Sequence, residues 1–203
     1  MIGLQNYWPI VSNTNDIVGG AHMYGPVNAA LTNDRFNNPN SAIHLNVGYY
    51  RLPSGVYFSG DFTVTVWAYI IGITRWFRVL ETGINTSGTI TDILCFYYTY
   101  DLTLNPGFII WPSTNYLKST TTLNLNQWNN VAFTLKGSTA SVYVNGVLAD
   151  QKIHTTPLNV IRNSNFVGGS NWPVDPLPNV IYDELRIFNR ALDASEIVEI
   201  MNL

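Results

Sequence analysis

Apolar and polar residues alternate along much of this chain with a period of two. The clearest run is 61–70, where even positions from 62 on hold Phe, Val, Val, Ala and Ile, and odd positions from 63 to 69 hold Thr, Thr, Trp and Tyr. Successive side chains of a β-strand point to opposite faces of a sheet. The run therefore predicts a strand with one face in the core and the other toward solvent or a groove.

A β-hairpin is predicted in the second half of the chain. The runs 140–144 and 147–150 flank Asn145 and Gly146, a pair that favours the type I′ turn because both central residues of that turn need positive φ. Another strand is predicted over 128–135. Further apolar runs predict strands at 93–100, 107–111, 151–154, 165–168 and 180–188.

One helix is predicted, at the C-terminal end. Asp193 precedes Glu196 by three residues, which is the spacing of a capping box. An apolar stripe at helical spacing follows, at Ile197, Ile200 and Met201. We expect this helix to lie across one edge of the sheets. Because no amphipathic helices separate the strands, the pattern favours an antiparallel β-sandwich, and the length fits one domain over 1–203.

Composition narrows the classes of function. Charged residues make up 11% of the chain, against about 25% in an average soluble domain. The net charge is −3 and the ten Lys and Arg are scattered, so a nucleic-acid-binding surface is not expected. No run approaches the roughly 20 apolar residues of a membrane-spanning helix. No signal-peptide pattern is present. We expect an extracellular domain of a longer secreted or surface protein or, alternatively, an intracellular protein.

Several segments together resemble the laminin G-like domains of the concanavalin A-like lectin and glucanase superfamily. The most specific is 182–192, Tyr-Asp-Glu-Leu-Arg-Ile-Phe-Asn-Arg-Ala-Leu, followed by Glu196 and Ile197. The others are 7–10, 15–16 with 19–20, 41–46, 62–67, 128–132 and 142–146. The resemblance implies an all-β jelly-roll sandwich of two curved antiparallel sheets. It also implies binding of carbohydrate or of extracellular proteins in adhesion, and often a bound calcium ion.

The resemblance implies a structural calcium site at three residues. Asp183 would give a carboxylate oxygen, and Asp16 and Gly20 would give carboxylate or carbonyl oxygens to an ion that binds six to eight oxygens. The residues alone say only that Asp183 is an ionised group in a β-rich strand and needs a cation, an Arg or water. The alternative is an ion pair or hydrogen bonds, for instance with Arg186, or simple exposure.

Aromatic residues are the candidates for ligand contact. Trp76, Trp111 and Trp172 lie in predicted loops or at strand ends, where an indole ring can stack on a sugar while neighbouring polar groups form hydrogen bonds. Alternatively, each caps an end of the sandwich. Tyr98 and Tyr100 would share a strand face and line a concave groove, or they form cross-strand packing pairs. The remaining tryptophans are assigned to packing: Trp8, Trp67 and Trp128.

The sequence favours a binder over an enzyme. The resembling glucanases carry Glu-x-Asp-x-Glu on one strand, and no Glu of this chain has an Asp two residues on. Asp183 and Glu184 are neighbours, and on a regular strand they would face opposite ways. Cys95 lies in an apolar run without a nearby His, which indicates a buried core residue. We therefore predict a non-catalytic binding module. The alternatives are a glycoside hydrolase-like β-glucan enzyme and a structural or oligomerisation domain.

Overall fold

The strands form a single connected antiparallel sheet. A computed structural model describes residues 1–113 and 115–203, and this part contains thirteen strands and one helix. The strands are β1 (Leu4–Trp8), β2 (Tyr24–Thr32), β3 (Ala42–Leu52), β4 (Phe62–Ile70), β5 (Phe77–Thr86), β6 (Thr89–Thr99), β7 (Gly107–Ile110), β8 (Leu117–Lys118), β9 (Trp128–Lys136), β10 (Thr139–Val144), β11 (Val147–Ile153), β12 (Ser164–Val167) and β13 (Asn179–Phe188). Their order is β11-β10-β9-β4-β13-β3-β12-β5-β6-β7-β8, with β1 beside β13 and β2 beside β3.

The sheet curls over on itself, so that strands far apart in its order pack face to face. Phe62 of β4 and Phe133 of β9 contact Phe96 of β6, with ring centroids 5.6 and 5.4 Å apart. β11 and β8, the two end strands of the order, also lie close together. Lys152 Nζ of β11 donates to the carbonyl oxygen of Tyr116, just before β8, at 3.0 Å. The result is an all-β, nearly closed, barrel-like structure. Its core holds the predicted apolar row of β4.

The predicted hairpin is confirmed. β10 pairs with β11 on one side and with β9 on the other. In the turn between β10 and β11, Asn145 and Gly146 have φ of +49° and +78°. Positive φ at both positions is what a type I′ turn requires. The predicted strands 147–150 and 151–154 are one strand, β11.

The C-terminal helix α1 (Ala194–Met201) forms with its predicted capping box. The Asp193 carboxylate accepts from the Glu196 N–H at 2.9 Å, and the Glu196 carboxylate accepts from the Asp193 N–H at 3.0 Å. Its apolar side packs on Ala132, Tyr143, Phe188 and Leu192. The helix thus covers the outer face of β9, β10 and β13. The predicted edge position is wrong, because apolar side chains on this outer face need cover from water. No helix of the described residues is long and apolar enough to cross a membrane.

A β-bulge interrupts β13 where it pairs with β4, between Asp183 and Arg186. Glu184 takes a φ of +57° there. Tyr182 and Leu185 both belong to the core, so Asp183 and Glu184 both lie on the outer side. The prediction that these two carboxylates face opposite ways is therefore wrong, because the extra residue of a bulge breaks the regular alternation.

Candidate functional site

A pocket of about 200 Å³ opens on the outer face of β6 and β7. Its floor is formed by Ile93, Cys95 and Ile109, which alternate along their strands with residues of the main core and so point away from it. Aromatic rings form the walls: Trp76, Trp111, Tyr116 and Trp172. Two charged residues, Arg78 and Asp175, complete the lining. We call this site the aromatic pocket.

The structure brings together all three tryptophans that the sequence singles out for ligand contact. Trp111 and Trp172 are 40% and 39% exposed, so an incoming ligand can reach them. Trp76 is more enclosed and packs edge-on against Tyr100, with centroids 4.5 Å apart. It has a φ of +54°, a conformation that bulky residues rarely adopt. A ligand-binding role for the three rings stays a prediction, and their convergence is the geometry on which it rests.

The two predicted tyrosines do not line this pocket. Tyr98 is fully buried and packs in the main core against Tyr182 at 5.8 Å, so its predicted place in a ligand groove is wrong. The cause is the alternation along β6, which points Tyr98 inward together with Phe96. Tyr100 follows the end of β6 at Thr99. It is partly exposed and supports Trp76 from behind.

A buried polar network fixes the two sides of the aromatic pocket relative to each other. Arg78 Nε donates to Glu81 Oε2 at 2.6 Å, and Arg78 Nη2 donates to Asp175 Oδ2 at 2.6 Å. Arg78 Nη1 also donates to the carbonyl oxygen of Trp76 at 2.6 Å. Glu81 Oε1 accepts from the backbone N–H of Asn171 at 2.6 Å. The network therefore ties the start of β5, which directly follows Trp76, to the loop that carries Trp172.

Charge and burial set the protonation of this network. Burial works against the charge of Arg78, but the neighbouring carboxyl groups of Glu81 and Asp175 outweigh it, so the pKa of Arg78 is raised. Burial also raises the pKa of the Cys95 thiol far above its usual value. Since the thiolate is the reactive form of cysteine, Cys95 is a protonated floor residue with no nucleophilic character.

Part of the hydrogen-bonding capacity of the lining residues is unused. Among the described residues, Asp175 Oδ1 and the indole N–H groups of Trp76, Trp111 and Trp172 have no hydrogen-bond partner. Flat apolar ring faces thus lie beside a few donors and one acceptor. This combination is typical of sites for small amphipathic ligands.

Sequence reasoning missed Arg78, Glu81, Asp175 and Tyr116 as parts of the site. A local indication existed for two of them, because Arg78 follows Trp76 by two residues and Asp175 follows Trp172 by three. What the sequence does not reveal is the antiparallel pairing of β5 with β12. That pairing places the two tryptophan-bearing loops at the same end of the sheet.

The residues of the implied calcium site do not fit a calcium ion. Both oxygens of the buried Asp16 carboxylate already accept hydrogen bonds from protein N–H groups. Its five donors, at 2.6–3.0 Å, are Asn6 Nδ2 and the backbone N–H groups of Tyr7, Val18, Gly19 and Ala21. Burial alone raises the pKa of Asp16, but these bonds outweigh it and lower the pKa. A ring of N–H donors favours a carboxylate and leaves it little capacity for a metal.

Asp183 is held by an arginine, although a different one from the arginine considered in the sequence. Its Oδ2 accepts from Arg35 Nη1 at 2.8 Å, while Arg186 pairs with Glu184. Burial and the charge of Glu184 raise the pKa of Asp183 to about 7. No group of three or more His, Cys, Asp or Glu side chains placed to hold a metal occurs in the described ranges. Gly20, at φ +71°, lies in the loop that wraps around Asp16.

Comparisons with known proteins give a family and a set of similar folds. A family model described as the concanavalin A-like lectin/glucanases superfamily, of laminin G type, matches residues 46–198. A search of curated protein sequences finds no match. Domain 4 of the extracellular arabinanase AbnA from Geobacillus stearothermophilus, solved with arabinotriose, is 20% identical with a TM-score of 0.72, and the match covers 98% of both chains.

Two other solved structures share the fold over only part of their length. Trypanosoma rangeli sialidase is 17% identical with a TM-score of 0.73, and the match covers 99% of this chain but 33% of the sialidase. The binding domain of Paraclostridial Mosquitocidal Protein 1 is 17% identical with a TM-score of 0.57, and the match covers 98% of this chain and 52% of that one. At such identities the likeness shows a common fold.

Proposed function

This chain belongs to the concanavalin A-like lectin/glucanase superfamily, and on that basis we propose that it is a non-catalytic module that binds a saccharide in the aromatic pocket. The observation that carries the proposal is the convergence of three partly accessible tryptophans around one opening. Sugar rings present apolar faces that stack on aromatic rings, and their hydroxyl groups bind the polar groups beside them. The pocket volume suits one ring-sized unit. We interpret the curled sheet as a jelly-roll β-sandwich.

The similar structures support a saccharide as the ligand. Domain 4 of AbnA matches this chain over its whole length and was solved with arabinotriose. The sialidases are three times as long as the region matched, so their activity belongs to a larger protein. AbnA is an extracellular enzyme, and we propose an extracellular setting for this chain as well.

The carboxylates around the site support binding without catalysis. A retaining glycosidase needs two carboxyl groups about 5–5.5 Å apart on either side of the scissile bond. Asp175 is the one acidic side chain among the described residues that line the pocket, and it is bound to Arg78. Glu81 is fully buried, and both its oxygens accept hydrogen bonds from Arg78 and Asn171. The described lining therefore lacks the pair of accessible carboxyl groups that a retaining glycosidase needs.

A glycan array followed by titration calorimetry tests the proposal. The wild-type protein should bind at least one oligosaccharide class, and Trp111→Ala should weaken that binding about 10- to 30-fold, since a central aromatic contact is truncated. Phe36→Ala is the matched control, because Phe36 is an exposed aromatic residue in the loop between β2 and β3, outside the pocket, and it should bind as the wild type does. Saccharide binding that survives Trp111→Ala, or hydrolysis of the bound saccharide, would overturn the proposal.

A further inference from the structure

A second pocket adjoins the aromatic pocket. It has a volume of about 390 Å³ and shares Trp172 and Asp175 with the first pocket as a common wall. The rest of its lining comes from the outer faces of β3 and β12, from Asn85 near the end of β5, and from the loop that follows β12. We call it the arginine pocket, after Arg51 of β3. A ligand of two or more linked units could occupy both pockets at once by passing over the shared wall.

Arg51 is held in a defined orientation at this site. It lies opposite Phe166 in the pairing of β3 with β12. Its guanidinium carbon lies 5.0 Å from the ring centroid of Phe166 and 5.6 Å from that of Tyr49, and the two rings contact each other edge-on at 5.6 Å. Stacking of this kind fixes the plane of a guanidinium and leaves its N–H edge free to bind.

The guanidinium group of Arg51 makes no ion pair or hydrogen bond with any residue that the structure describes. The other charged residue of the arginine pocket, Asp175, is bound to Arg78 through Oδ2 and keeps Oδ1 free. The pocket therefore presents an unpaired fork of N–H donors and a carboxylate oxygen that accepts.

The neutral polar groups of the arginine pocket are largely engaged with each other. Asn171 Oδ1 accepts from Ser164 Oγ at 2.5 Å, and Asn171 Nδ2 donates to Glu81. Ser170 Oγ donates to Asp175 and accepts from the backbone N–H of Trp172. A ligand must therefore bring an anionic acceptor for Arg51 and a hydroxyl donor for the free oxygen of Asp175. A sugar unit that carries an acidic substituent supplies both.

We propose that the arginine pocket is a subsite for an acidic sugar unit, whose carboxylate or sulfate group binds Arg51 and whose hydroxyl group binds Asp175 Oδ1. The inference rests on the proposed function, because the neighbouring sugar unit occupies the aromatic pocket. An arginine fork binds a planar carboxylate through two parallel hydrogen bonds, which gives the contact its specificity.

The test uses an array of matched oligosaccharides that differ only in one unit, which is neutral, a uronic acid or sulfated. The best matched pair is then titrated against the wild type, Arg51→Gln and Trp111→Ala. We expect the wild type to bind the acidic member about tenfold or more tightly than the neutral one, since a charge-assisted bidentate contact is gained. Arg51→Gln should remove most of that preference, so that the ratio of the acidic to the neutral affinity falls to about twofold or less. The uronic acid and sulfated arms show which anion is preferred.

The outcomes separate the two proposals. Equal binding of neutral and acidic members, lost in Trp111→Ala but not in Arg51→Gln, would overturn the acidic subsite while the aromatic pocket remains the binding site. An absence of saccharide binding would overturn both. Because Arg51 is exposed, the variants should fold, and Arg51→Lys provides a second check. Arg51→Lys keeps the positive charge but loses the forked pair of N–H donors. It should therefore show an intermediate preference for the acidic saccharide, and raising the salt about fivefold, from 0.1 M to 0.5 M, should largely remove that preference because salt screens the remaining charge.

Discussion

The buried carboxylate of Asp16 offers a sharp test of how the loop after β1 is held. Its two oxygens accept five hydrogen bonds, and the N–H groups of residues 18, 19 and 21 are among the donors. The same loop binds the core, because Trp8 Nε1 donates to the carbonyl oxygen of Ala21 at 2.9 Å. Replacing the carboxylate by an amide in Asp16→Asn keeps the shape and removes the charge.

The cost of Asp16→Asn follows from the donors left without partners. An amide oxygen at the Oδ1 position keeps three backbone donors, while the new amide nitrogen faces Asn6 and the N–H of Ala21. Asn6 Oδ1 has no partner in the wild type, so a flip of Asn6 gives the new amide an acceptor. The N–H of Ala21 stays unpaired, the Asn6 amide nitrogen takes the place of an oxygen that already had no partner among the described residues, and three bonds lose their charge, which together cost about 3 kcal/mol.

Thermal and urea unfolding measure this loss. A change of about 3 kcal/mol corresponds to a fall in Tm of roughly 6–12 °C for a chain of this size. Asp150→Asn is the control, since among the described residues that side chain accepts only from the neighbouring N–H of Gln151, and its stability should stay within about 0.5 kcal/mol of the wild type. An unchanged Tm for Asp16→Asn would refute the reasoning. So would a rise in wild-type Tm with calcium that the variant loses, because the carboxylate would then be a metal ligand.

The difference between Asp16→Asn and the wild type should also depend on pH. The pKa of Asp16 is lower in the folded protein than its usual value, so the folded state favours the ionised form. The ionised Asp16 stabilises the folded protein fully above the pKa that Asp16 has in the unfolded chain, about 4. This stabilisation is lost as the pH falls through the lower pKa that Asp16 has in the folded protein. The stability difference should therefore shrink between pH 5 and pH 2.

Three further changes test the core and the strands around the site. Gly107→Ala should lower Tm by several degrees, because a Cβ there would lie 1.9 Å from a main-chain oxygen of Leu117, whereas Gly72→Ala meets nothing closer than 3.7 Å and should have little effect. Tyr98→Phe should leave the free energy of unfolding unchanged or raise it by about 1 kcal/mol, since its buried hydroxyl group has no partner among the described residues and its removal relieves a desolvation cost, whereas Tyr182→Phe loses a 2.6 Å hydrogen bond and should cost about 1–2 kcal/mol. A fall of more than about 0.5 kcal/mol in the free energy of unfolding of Tyr98→Phe would show that its hydroxyl group does have a partner. The pKa of Asp183 is raised to about 7 in the folded protein, so the folded state keeps a proton that the unfolded chain releases above pH about 4. The stability that this proton confers is therefore lost as the pH rises to 7. In urea unfolding, the free energy of unfolding of Asp183→Asn should therefore rise by about 1–3 kcal/mol relative to that of the wild type between pH 5 and pH 8. A difference between the two proteins that stays constant over this range would count against the raised pKa.

The alternating pattern predicted the strands that bury one complete face. β4 is the clearest case, because its even positions are all apolar and all lie in the core. The Asn-Gly turn and the capping box were also predictable, since both depend on residues close together in sequence. The family motifs and the three candidate tryptophans could also be identified from the sequence. The structure places these tryptophans around one opening.

Features that depend on pairing between distant strands could not be predicted. β5 carries charged residues on a buried surface, with Arg78 and Glu81 neutralising each other, so its sequence lacks a purely apolar face. The partner of Asp183 is Arg35, which is remote in sequence. The bulge at Glu184 places Asp183 and Glu184 on the same side of β13, and it depends on how β13 pairs with β4. Long-range neighbours decide each of these outcomes.

Nuclear magnetic resonance of the indole N–H groups tests the binding site most directly. The chain has six tryptophans, and each gives one indole signal that can be followed while the array-selected oligosaccharide is added. The account predicts that the signals of Trp76, Trp111 and Trp172 shift with a common affinity, and that those of Trp8, Trp67 and Trp128 do not. Shifts confined to the second group, or no shift at saturating saccharide, would contradict the assignment of the aromatic pocket as the binding site.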